Sequence, residues 1–157
     1  MKKILLLLSV FILFLSCSTG EGLKPPSHEV EEPTGISGKV TFIGNWPVNP
    51  LSYMVAVGVL TKYPPDDIMD ISAYTDPITP NTTEFDYFLE LSPGTYAGVV
   101  AALVNYADLL HPVMLGFYKT GENDTTPAII TIVEGKTTKN MDITADFSLI
   151  GKLKVLY

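Results

Sequence analysis

Gly35-Ile36-Ser37-Gly38-Lys39-Val40-Thr41-Phe42 sets apolar or small residues against polar ones at every second position. A period of two is that of a strand with one dry face and one wet face, because successive side chains leave opposite sides of the pleat. Ile36, Gly38, Val40 and Phe42 therefore take the inner face, and Lys39 points outward. The same alternation returns in Phe85-Asp86-Tyr87-Phe88-Leu89-Glu90-Leu91, where Phe85, Tyr87, Leu89 and Leu91 share one side. It returns again in Met141, Ile143 and Ala145 against Asn140, Asp142 and Thr144.

Between these landmarks lie further strand signals. Tyr53 to Leu60 is β-branched and apolar, and Ile71 to Tyr74 reads as a short edge strand. Thr95 to Val104 is apolar on both faces, which fits a central strand covered on two sides. Val113 to Tyr118 is a strand, and Asn105 to Pro112 before it is a loop. Ala128–Val133 and Thr137–Asp146 read as a hairpin about Glu134-Gly135-Lys136. Ser92-Pro93-Gly94 reads as a type II turn with Gly94 at positive φ. The alternation of Leu153, Val155 and Tyr157 with Lys152 and Lys154 fits a final strand within Leu149–Tyr157. No stretch keeps a helical period, and no internal repeat is visible. Short strands separated by turn residues predict an all-β fold: a single Greek-key β-sandwich of immunoglobulin or transthyretin type, with seven or eight strands, over 35–157.

Upstream, the chain changes character. Ser18 to Thr34 carries Pro25, Pro26, Pro33 and four glutamates with few apolar residues, the composition of an extended tether. Before it, Lys2-Lys3 precede Ile4–Leu15, which is apolar except for Ser9, and Ser16 then marks a small-residue boundary. That order is the order of an export signal, and the apolar run is shorter than the about 20 residues a spanning helix needs. The expected organisation is a signal at 1–16, a tether at 17–34 and a domain at 35–157.

Phe14-Leu15-Ser16-Cys17 resembles the lipobox of bacterial lipoproteins. The resemblance implies that Cys17, the one cysteine of the 157 residues, becomes the acylated first residue of the mature chain. Several acyl chains, palmitate among them, make a stable anchor where one does not. Ser18 then points to the outer membrane, on its periplasmic side or at the cell surface. Loss of Lys2 and Lys3 would take the net charge from −7 to −9. All ten basic residues are lysines. An acidic chain without arginine lacks the means to neutralise several phosphates, so nucleic acid is not an expected partner.

Three landmarks occur in a suggestive order: Gly35 to Phe42, then Leu91-Ser92-Pro93-Gly94-Thr95-Tyr96, then Val133-Glu134-Gly135-Lys136-Thr137-Thr138 leading to Met141-Asp142-Ile143. In this they resemble the transthyretin-like and carboxypeptidase-regulatory-like domains of bacterial surface proteins. That resemblance implies an accessory, spacer or binding module and brings no catalytic residues with it.

Catalytic groupings are scarce. Nucleophilic hydrolysis needs a base beside the nucleophile, and the two histidines are His28 in the tether and His111 in a loop. No Gly-x-Ser-x-Gly turn occurs, and zinc would need a tighter set of ligands than the chain offers. Glu84, Asp86 and Glu90 alternate with the apolar positions of their strand and are expected to face water rather than a cleft. Lys39 and Asn140 have the residue types of an isopeptide cross-link, but Lys39 belongs to the outer face. The weak candidate for a metal is the calcium-type cluster Asp66, Asp67 and Asp70. The candidate ligand-binding residues are two loop aromatics, Trp46 and Tyr63, whose rings suit a glycan or an envelope protein if both loops lie at one end of the sandwich. No enzyme activity and no cofactor are expected. The reading is a lipid-anchored, non-catalytic accessory or structural module of the cell envelope, with carbohydrate or protein binding through the loop aromatics as the alternative.

Overall fold

The computed structural model describes residues 32–49 and 51–150, all within the unit Glu31–Tyr157. The signal, Cys17, most of the tether and the tail 151–157 lie outside the described residues. Ten strands occur among the described residues, with two single 3-10 turns and no longer helix. They build an all-β sandwich.

The first sheet centres on β1 (Gly35–Ile43), with β4 (Glu84–Glu90) antiparallel on one side and β10 (Ile143–Asp146) parallel on the other. The two-residue β9 (Thr137–Thr138) also runs parallel to β1, opposite Gly35 and Ile36. The alternation read from the sequence places the side chains as expected. Ile36 and Val40 are fully buried, and Tyr87 and Leu89 of β4 are nearly so. Lys39 points outward, 2.9 Å from Glu84; that carboxylate raises the lysine's pKa.

The second sheet runs β3 (Ile71–Tyr74), β2 (Tyr53–Leu60), β6 (Gly98–Asn105), β7 (Asp108–Phe117), antiparallel throughout. β2 and β6 pair over their full length, from Tyr53 opposite Asn105 to Leu60 opposite Gly98. Val55, Val57, Val59, Val99 and Ala101 face the first sheet at no more than 1% exposure. β5 (Gly94–Tyr96) and β8 (Ile130–Ile132) form a separate pair. The two main sheets meet along one side where Gly116 of β7 abuts Thr144 of β10, so closely that a Cβ at 116 would overlap the Thr144 carbonyl.

Several expectations are corrected. Residues 133–136 do turn, with Gly135 at φ 69° and the Lys136 amide donating to the Val133 carbonyl. The strands on either side then part: β8 joins β5, whereas β9 and β10 join β1. The expected 128–146 hairpin is therefore absent. Thr95–Val104 is not one strand. Gly98 packs where Pro127 would collide with any Cβ, and the chain changes sheet at Ala97. Gly94 has no positive φ; it begins β5, and the Tyr96 hydroxyl donates back to the Ser92 carbonyl at 2.9 Å, a tyrosine corner. β7 starts at Asp108 rather than Val113, after a tight turn in which the Asn105 side chain accepts from the Ala107 amide. The end of the expected tether is tied down. The Thr34 side chain accepts from Gly135, the Pro33 carbonyl accepts from Thr137, and Glu32 pairs with Lys139 at 2.8 Å, which lowers its pKa.

Candidate functional site

Trp46 and Tyr63 are not brought together. Trp46 comes after the end of β1 and lies at the end of the sandwich where β2 begins. Its indole N–H donates to the Thr82 carbonyl at 3.0 Å, and the Tyr53 hydroxyl, at the start of β2, donates to the Pro47 carbonyl nearby at 2.7 Å. Tyr63 comes three residues after Leu60, where β2 ends. The whole eight-residue strand separates them, about 25 Å at ~3.3 Å per residue. Trp46 is half-buried, with ring centroids 4.9 Å from Phe42 and 4.5 Å from Phe147. Its place is that of a lid on the end of the core. Tyr63 is half-buried as well.

The aspartates at 66–70 serve their own turn. Asp67 caps the 3-10 turn Ile68–Asp70 by accepting from the Met69 amide at 2.6 Å. Asp70 accepts from the Asp66 and Asp67 amides, and Asp66 pairs with Lys62. Among the described residues no group of three or more histidines, cysteines or carboxylates is placed to hold a metal ion. His111 sits exposed with Nδ1 2.6 Å from Asp108. Glu84, Asp86 and Glu90 are exposed on β4, as the alternation implies.

The feature that sequence reasoning misses is the outer face of the second sheet. Its cross-strand pairs are Met54 with Val104, Ala56 with Ala102, and Gly58 with Val100. All six are apolar, and the smallest sit in the middle, so the face is hollowed along its length. Leu60, Ile71 and Pro65 close one end, and Leu109 and Pro112 of β7 flank the other. The resulting trough has a volume of about 190 Å³. Among the described residues no charged side chain lines it, and Tyr74 brings the only side-chain hydroxyl. Its rim is wet: Ile68 is 50% exposed, Leu109 49% and Tyr74 68%. A signal is present in the sequence, since Tyr53–Leu60 and Thr95–Val104 are apolar at both parities. That pattern suggests cover on two sides, and among the described residues the second side is covered only in part: Ala56 and Val100 are buried, while Met54, Ala102 and Val104 are half-buried.

Comparison with protein-family models, with curated proteins and with solved structures matches none of them to this chain. Among the described residues no helix is long and apolar enough to cross a membrane.

Proposed function

We propose that this chain is a lipid-anchored, non-catalytic accessory module of the bacterial envelope, and that its trough takes a hydrocarbon chain such as a lipid acyl group. The observation that carries the reading is the trough itself: apolar side chains at consecutive positions on the outer face of a sheet, where water would ordinarily select polar ones. The strands beneath it satisfy one another's backbone hydrogen bonds, so the face offers no partners to a peptide or a sugar. A hydrocarbon asks for none, and each methylene it buries contributes about 0.8 kcal/mol. The Ala56–Ala102 and Gly58–Val100 pairs leave room for a chain to lie across the strands. Acylation of Cys17 would keep the domain in the neighbourhood of lipid.

Calorimetric titration with laurate below its critical micelle concentration tests the trough. Ala102→Glu puts a carboxylate on the floor; it should weaken binding at least about tenfold, or about 1.4 kcal/mol, with the far-UV circular dichroism unchanged. Equal affinity in the two proteins refutes the reading. The anchor is tested separately: Cys17→Ser should move the protein from the membrane fraction to the soluble one.

A further inference from the structure

Tyr53 at the start of β2, Asn105 at the end of β6 and Asp108 at the start of β7 lie side by side, each opposite the next. Two turns meet there. In one, the Ser52 amide donates to the Asn49 carbonyl at 3.2 Å, and the Tyr53 hydroxyl ties down the Pro47 carbonyl at 2.7 Å. In the other, the Asn105 side chain accepts from the Ala107 amide at 2.9 Å. The Tyr106 amide donates to the Ser52 carbonyl at 3.0 Å and so joins the two. These bonds turn polar groups toward one another, while apolar side chains meet the solvent. Val48 is fully exposed and Leu51 nearly so; Tyr106 and Leu109 are about half exposed. Single exposed apolar residues are ordinary on a protein surface, whereas a group of them marks a place of contact.

We propose that this tip docks on a neutral, zwitterionic lipid surface. Val48 and Leu51 enter the boundary between headgroups and acyl chains, and the Tyr106 ring lies at headgroup level. Charge and size identify the partner. Residues 44–52 and 105–107 include no charged residue, and the chain as a whole carries −7. An anionic membrane would repel the protein and find no lysine here to hold it. Asp108, next along the chain, has His111 Nδ1 2.6 Å away. The exposed Met69, beyond the other end of β2, is by contrast set among Lys62, Asp66, Asp67 and Asp70, a poor surface to bring to lipid. A protein partner fits less well, since four side chains fall far short of the about 20 residues that each side of a stable interface contributes. A lipid boundary needs neither area nor a matching shape. Each apolar side chain that enters contributes on its own, and an amphipathic ring suits the headgroup level. The described walls of the trough include Leu109 but not Val48, Leu51 or Tyr106. This inference rests on neither the trough nor the anchor.

Trp46, the one tryptophan of the chain, stands two residues before Val48 and reports the contact. Phosphatidylcholine vesicles with brominated acyl chains quench an indole only at close range, so they should quench Trp46 in the full chain. Attachment through the other end of β1, where Glu32 and Thr34 are tied, would leave Trp46 a strand's length away, about 30 Å, and unquenched. Quenching titrated against lipid gives a partition coefficient. Val48→Asp combined with Leu51→Asp should lower it at least about tenfold, with far-UV circular dichroism unchanged. Leu51→Ser alone should lower it in the same direction and decides the matter if the double variant fails to fold. Laurate affinity should match the parent's in these variants, so failure of the tip and failure of the trough are read separately. No quenching in the parent, or an unchanged coefficient in the variants, overturns the proposal. Tighter binding to anionic than to zwitterionic vesicles overturns it as well. So does self-association that the same substitutions abolish, because a second copy would then be what the tip contacts.

Discussion

Trp46→Ala separates a core lid from a ligand-binding ring. The substitution removes a half-buried indole, its packing against Phe42 at 4.9 Å and Phe147 at 4.5 Å, and its 3.0 Å bond to the Thr82 carbonyl. A fully buried tryptophan costs about 3–5 kcal/mol when cut to alanine. Half burial reduces the transfer part, while the two ring pairs and the hydrogen bond each restore about 1 kcal/mol. The expected loss is about 3 kcal/mol. For a domain of about 120 residues the unfolding entropy is about 0.25 kcal/mol per kelvin, so Tm should fall by about 12 °C. Trp46→Phe keeps the packing and drops the hydrogen bond, and it should cost about 1 kcal/mol, near 4 °C. Scanning calorimetry with a parallel urea titration by far-UV circular dichroism measures both. A Trp46→Ala protein melting within about 2 °C of the parent would refute the lid assignment and return Trp46 to the candidate binding residues.

Other expected outcomes rest on single contacts. Gly116→Val would drive β7 away from the Thr144 carbonyl of β10, and it should destabilise by about 1–3 kcal/mol in chemical denaturation. Tyr87→Phe leaves the Met141 carbonyl without the 2.5 Å bond from the tyrosine hydroxyl and should cost about 1–2 kcal/mol. Burial first, then the nearby Asp142 charge, hold the Tyr87 hydroxyl's pKa well above the ordinary tyrosine value. The unfolded chain ionises there near about pH 10 and the folded one only higher, so this contribution is whole below about pH 10 and drains away as pH rises beyond it. The parent should lose stability in that window more steeply than Tyr87→Phe; parallel slopes would contradict the assignment.

The two ends of the first sheet's ladder were legible because their information is local. In β1 and β4 the period-two pattern alone decides which side chains are dry, and Ile36, Val40, Tyr87 and Leu89 are buried accordingly. The features that escaped the sequence depend on distant partners. Glu134-Gly135-Lys136 has the composition of a hairpin turn and does turn, but β1 captures the residues beyond it, drawing β9 and β10 into parallel pairing. Nothing within residues 128–146 encodes that choice. Ala97 and Gly98 break a continuous apolar run because of Pro127, almost thirty residues on. Trp46 and Tyr63 look like neighbours only while the direction of β2 is unknown. The trough was half-legible: apolar residues at both parities of β2 and β6 do mean two apolar faces, but a sequence does not say whether anything covers the second.

Methyl resonances along β2 and β6 make the most direct test, because neighbouring residues on the same strands face opposite ways. On titration with laurate, the methyls of Ala56, Val100, Ala102 and Val104, which line the trough, should shift in a saturable way. Those of Val55, Val57, Val99 and Ala101, buried between the sheets, should stay nearly still. Shifts of equal size on both faces, or none on the outer one, would contradict a hydrocarbon site on this sheet.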